Sequence, residues 1–155
     1  MKMVKIAAGV AMTLASGALF AQGNCASPIA IQSDNNNNAW GTSGTTCGRD
    51  NDFPTFPGFI PSEGPDVVHS FVADNPNAVI TLQADATFTP AMVLLDACTG
   101  TAGIVDVAVV DPATPGQALS MNVAGLTNGN TYYLVVSHHP DALAANRCGG
   151  WTGTI

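Results

Sequence analysis

The chain has 155 residues, 46% of them hydrophobic and 10% charged, and sets four Lys and Arg against eleven Asp and Glu for a formal net charge of −7. Nucleic-acid affinity rests on Lys and Arg displacing counterions from phosphates, and attraction to anionic lipid needs the same residues, so neither is expected as a partner. The length suits one domain with one core.

Lys2 and Lys5 form a short positive start, and residues 6–20 are an apolar stretch of Ala, Val, Leu and Met. It is too short and too rich in small residues for a membrane span and reads as a signal peptide. Cleavage is favoured after Ala21, with a cut after Gly23 as the alternative in the small-x-small pattern Ala21-Gln22-Gly23. The mature chain of about 134 residues then keeps Arg49 and Arg147 against eleven acids, a net charge of −9, and has no lysine and no expected membrane insertion. A secreted or periplasmic location follows. The chain divides into the signal peptide (1–21), a polar loop-rich N-terminal segment of the sandwich (22–65) and a β-sandwich core (66–155).

Within 22–65, Asn, Gly, Ser, Thr and Pro dominate, and only Pro28 to Gln32 looks like a strand. The run Asn35 to Asn38 reads as a solvated turn. Phe53, Phe56 and Phe59 alternate with Pro54, Pro57 and Pro61 in an apolar loop. Such rings either cover an open edge or end of the domain, the favoured reading, or form an exposed platform for a glycan or protein, to which Trp40 and Trp151 would add.

From Pro65 onward, short apolar runs bounded by turn residues follow one another: VVHSFVA (67–73), AVITLQA (78–84), AMVLLDA (91–97), IVDVAVV (104–110), ALSMNVA (118–124) and TYYLVVS (131–137). They start 11 to 14 residues apart, are rich in Val, Ile, Thr and Tyr, and have no helical period between them. The expected fold is all-β, an antiparallel sandwich. In AVITLQA, Val79, Thr81 and Gln83 should face one way and Ile80 and Leu82 the other. Asn128-Gly129 is the strongest hairpin signal, because a type I′ turn needs positive φ at both central residues. Residues 150–155 read as a closing strand, either very short or completed by another chain.

Cys25, Cys47, Cys98 and Cys148 form an even set in an exported chain, which favours two disulfides. Four cysteines allow three connectivities. Cys25 with Cys47 and Cys98 with Cys148 is favoured, since each pair would close one end of the domain. No Cys-x-x-Cys occurs, which argues against a zinc knuckle.

The runs Pro65-Asp66-Val67-Val68-His69-Ser70-Phe71, Phe88-Thr89-Pro90-Ala91-Met92-Val93-Leu94-Leu95-Asp96-Ala97-Cys98 and Gly129-Asn130-Thr131-Tyr132-Tyr133-Leu134-Val135-Val136 resemble the bacterial pre-peptidase C-terminal (PPC) type of domain over residues 60–155. The resemblance implies a secreted, jelly-roll-like β-sandwich that is not catalytic. Members often carry Tyr at the place of His69 and an acid where this chain has Thr89-Pro90. The acid-rich loop that holds calcium in some members is reduced here to Asp106 and Asp111, so no cofactor is expected and calcium is the only ion the resemblance suggests.

For chemistry, His138, His139 and Asp141 with His69 are the only set suited to a metal or a general base. Neighbouring strand residues point to opposite faces, so His138 and His139 are expected to be solvated loop residues. Gly-x-Ser-x-Gly is absent, Asp66 and His69 should lie on opposite faces of one strand, and Asp50, Asp52, Glu63 and Asp66 read as surface charge more readily than as a glycosidase pair. No enzyme is expected. The leading expectation is a non-catalytic module that binds an extracellular polysaccharide or protein. Self-association into a fibre or matrix by edge-strand exchange through 150–155 or 22–33 is the second, and a small hydrolase the third.

Overall fold

The computed structural model describes residues 23–31, 41–53, 55–56, 60–61, 64–99, 103–109 and 113–155. The signal-peptide reading of residues 1–21 and the Asn35 to Asn38 run lie outside these. Eleven strands are described: β1 (Ile29–Ala30), β2 (Gly41–Thr45), β3 (Thr55–Phe56), β4 (Ile60–Pro61), β5 (Val67–Val72), β6 (Asn77–Ala84), β7 (Pro90–Leu95), β8 (Ile104–Val109), β9 (Ala118–Ala124), β10 (Thr131–His138) and β11 (Gly150–Thr154). Among the described residues one 3₁₀ turn, Ala144–Asn146, interrupts them.

Two sheets face each other, a five-stranded one in the order β1-β5-β10-β7-β8 and a four-stranded one in the order β2-β11-β6-β9, with β3 and β4 as a separate two-stranded ribbon. The pairings are antiparallel except for β1 with β5. The six strands expected after Pro65 are all present, and the fold is the expected all-β sandwich. From β5 onward the chain changes sheet at every connection but one, β7 to β8. That single hairpin loop is held by Gly103 N donating to Asp96 Oδ1 (2.7 Å) and Asp96 N to Gly103 O (3.1 Å).

The Asn128-Gly129 expectation needs correction. Residues 127–130 do form a turn, with Asn130 N donating to Thr127 O (3.1 Å) and Gly129 at φ 83°. The strands it joins, however, belong to different sheets, so it is a crossing between layers and not a hairpin. Burial explains the parting. β9 alternates exposed and buried residues along its length, as a strand with one wet face must, whereas β10 is buried from Leu134 to His138 on both faces.

The five-stranded sheet is covered on both sides. Its inner face gives Phe71, Met92, Leu94, Leu134 and Val136 to a core shared with Ile80, Leu82, Met121 and Trp151 of the other sheet. On its outer face, Val68, Val93, Leu95 and Val135 form a second cluster under Phe53, flanked by Cys25 and Cys98. The four-stranded sheet has one buried face: in β6, Ile80 and Leu82 are buried while Val79 and Gln83 are exposed, the alternation expected from AVITLQA.

Two further expectations are overturned. The disulfides join Cys25 to Cys98 and Cys47 to Cys148, not Cys25 to Cys47 and Cys98 to Cys148. Spatial strand neighbours decide this: β2 pairs with β11 so that Thr45 lies opposite Gly150, and Thr46 N bonds Gly149 O (3.1 Å), which sets Cys47 beside Cys148. Likewise, of the two alternatives for the closing strand the short one holds, as Gly150–Thr154, and completion by another chain is overturned, since β2 and β6 pair with its two sides. The 22–65 segment, expected to be mostly loop, supplies β2 as well; its Gly-Thr-Ser-Gly-Thr sequence has no strand signature and pairs because β11 offers it a free side.

Candidate functional site

Of the aromatic residues singled out by the sequence, the two whose side chains are described, Phe53 and Trp151, lie in different clusters. Phe53 is buried in the outer cluster, where its N–H donates to Asp66 Oδ2 (3.0 Å). It covers the outer face of the five-stranded sheet, where the covering reading had put it over an edge or end. Trp151 is buried on the other side of that sheet, edge-on to His69 with ring centres 5.1 Å apart and planes at 84°. Neither ring is offered to a ligand, which corrects the platform reading for these two. Phe56 lies in β3, its backbone opposite Ile60 of β4. Trp40 and Phe59 lie outside the described residues.

The titratable residues are also drawn inward. His69 has no exposed surface, and neither ring nitrogen has a hydrogen-bond partner. Burial is the main reason its pKa falls to about 4; the positive charge of Arg49 adds to this, and the Ile29 backbone, which approaches without reaching hydrogen-bond geometry, opposes it. Asp66 is 1% exposed and its pKa rises to about 6. Burial is again the main cause, the Phe53 amide works against it, and the charges of Asp52 and Asp50 add to the rise. Asp52 is pushed up by burial and by Asp50. As expected, Asp66 and His69 belong to opposite faces, one against Phe53 and the other against Trp151.

His138 and His139 are buried, at 1% and 6% exposure, not solvated as the sequence suggested. The physical reason is that β10 runs one residue further than the apolar run, pairing His138 with Pro90. Gly64 packs so closely over the His138 ring that a Cβ there would stand 2.7 Å from Nδ1. His139 is used as a joint: its N–H donates to Thr89 O (2.9 Å), and its Nδ1 accepts from Asp141 N (3.1 Å). Among the described residues no group of three or more His, Cys, Asp or Glu is placed to hold a metal ion. Asp106 Oδ1 accepts from Val107 N (2.8 Å), and Asp111 lies outside the described residues. Asp66, His69, His138 and His139 are thus all held inside the fold.

What does meet solvent is the outer face of the four-stranded sheet. β2, β6, β9 and β11 carry no charged residue at all. Strand register sets Thr154 beside Thr81 and Thr81 beside Ser120, with Thr152 between Ser43 and Gln83 in the next row. The Thr81 and Thr154 hydroxyls share a 2.8 Å hydrogen bond, and Gln83 Nε2 donates to Gly116 O (3.0 Å) and Ala84 O (3.0 Å). A shallow depression of about 470 Å³ lies over Thr81, Gln83, Ser120, Thr152 and Thr154. A second hollow of about 370 Å³ shares Thr81 and Thr154 with it and is otherwise lined by Phe71, Ala73, Asn77, Leu126 and Ile155, with the carboxylate residue Asp74 at its border. Sequence reading passed over this surface because it looked for aromatic and titratable residues. Its signal was there, in polar positions of AVITLQA and ALSMNVA filled by Thr, Gln, Ser and Asn and never by an ion. No helix among the described residues is long and apolar enough to cross a membrane. No family model matches the chain, and no curated protein matches it.

Proposed function

We propose that this chain is an exported, non-catalytic binding module whose target is an uncharged extracellular polysaccharide or protein surface, read by the outer face of the four-stranded sheet. The observation that carries the reading is a sheet whose four strands carry no charged residue, with a hollow over its outer face lined by Thr, Ser and Gln and a second at its end that Asp74 borders. Neutral hydroxyl and amide groups on a rigid sheet can match the hydroxyls of a neutral polymer without the cost of stripping water from ions. Two disulfides fit an oxidising compartment and the signal-peptide reading of the first 21 residues. The PPC-like strand runs support a module without catalysis, and the burial of Asp66, His69, His138 and His139 favours binding over hydrolysis.

The test is retention of the signal-free, oxidised protein on insoluble neutral polysaccharides and on cell-envelope fractions, compared with a Gln83→Ala, Thr152→Ala double variant. Both residues are exposed, so the variant should melt within a few degrees of the parent and lose retention about tenfold or more. A folded variant that is retained as well as the parent would remove this face from the proposal.

A further inference from the structure

Each sheet has two outer strands, and three of these four edges are blunted in familiar ways. β1 has two residues, β2 has five with two glycines, and β8 carries Asp106 and sits across a register shift at Leu94/Leu95. Short, irregular or charged edges resist pairing with another chain. β9 has none of these defences. It is seven residues long, Ala-Leu-Ser-Met-Asn-Val-Ala, without proline or charge, and pairs with β6 over all seven without a shift. Among the described residues no strand pairs with its other side.

We propose that β9 pairs antiparallel with β9 of a second copy of this chain, across a twofold axis at Met121, joining two four-stranded sheets into one of eight. In this register Ser120 lies opposite the partner's Asn122, Leu119 opposite the partner's Val123, and Ala118 opposite the partner's Ala124. The burial pattern is symmetric about Met121, so buried residues meet buried residues and exposed ones meet exposed ones. A strand of equal length and matching alternation is what an unprotected edge selects. Charge favours this approach too: a molecule with nine more acids than arginines repels its copies, and the sheet that ends in β9 is the uncharged one. The inference goes beyond polymer binding and stands or falls separately from it.

Sedimentation of the signal-free, oxidised protein over a wide concentration series tests it. The parent is expected to pass from monomer to dimer. Ser120→Glu with Asn122→Glu, and Ser120→Lys with Asn122→Lys, change exposed side chains and should keep the melting transition. Each alone should stay monomeric, because like charges then face one another across the axis, and an equimolar mixture of the two should dimerise again. A parent that remains monomeric throughout would overturn the proposal, as would either double variant dimerising like the parent, or a mixture that fails to pair. Dimerisation lost in Gln83→Ala, Thr152→Ala but kept in the charged variants would place the contact on the sheet face and overturn it equally.

Discussion

His69 and Asp66 are three residues apart, both buried, and shifted in opposite senses. A histidine held neutral in the fold at pKa about 4, against an ordinary 6.5, leaves the unfolded chain binding more protons, so stability is lost as pH falls from 6.5 to 4. A carboxyl raised from 3.8 to about 6 binds its proton more tightly when folded, so its contribution is lost as pH rises from 3.8 to 6. Each shift corresponds to about 3 kcal/mol, and the two nearly offset over the same interval. Denaturant unfolding is therefore expected to give a nearly flat contribution between pH 4 and 6 in the parent. Asp66→Asn should unmask His69 and make stability climb with pH, and His69→Phe should unmask Asp66 and make it decline. Parallel pH profiles for the two variants would show that these groups do not titrate as their burial implies.

At the scale of elements, β11 is the strand the sequence reading placed least well. Seen in sequence, Gly-Trp-Thr-Gly-Thr is a short polar segment, and in the fold it is interior to its sheet. It can be interior because Gly153 lets β6 approach: a Cβ at 153 would stand 2.5 Å from the Thr81 backbone oxygen. That oxygen belongs to a paired strand and cannot turn aside as a side chain can. Gly153→Ala is accordingly expected to cost about 1–3 kcal/mol, seen as a lower denaturant midpoint, although alanine normally favours an ordered backbone over glycine. An unchanged midpoint would mean that β11 and β6 can part freely. β9 and β10 make the complementary point. The patterns ALSMNVA and YYLVVS already differ, one alternating and the other continuous, and this difference assigns them to a half-wet and a doubly covered sheet. The Asn-Gly turn between them carries only the local information that the chain bends.

For the whole molecule, the two disulfides overlap along the chain, Cys25 with Cys98 spanning 73 residues and Cys47 with Cys148 spanning 101. The first ties the N-terminal segment to the outer face of the five-stranded sheet, and the second ties the ends of β2 and β11 in the four-stranded sheet. On the chain-entropy model each loop closure stabilises by about 4–5 kcal/mol when considered alone, and the overlap makes the pair worth less than twice that. Replacing Cys47 and Cys148 together by Ala should thus lower stability by a few kcal/mol, and reduction of both bonds should lower it further; calorimetry with and without reductant checks this. Indifference to reductant would assign the stability to the two cores alone.

The sequence by itself determined the class and the strands after Pro65, since period-2 alternation and β-branched runs are local properties that burial then respects. It also determined that the cysteines pair and that four strands carry no ions. Only the tertiary structure decided which cysteine meets which, that β11 is interior, that Phe53 and Trp151 belong to different cores and that His138 and His139 are buried. Those outcomes depend on which strands become neighbours across 50 to 100 residues of chain, and neighbourhood is set by the joint burial of many side chains. The same holds for β9: its sequence shows an alternating strand, and only the order of strands in the sheet leaves one side of it without a paired strand among the described residues.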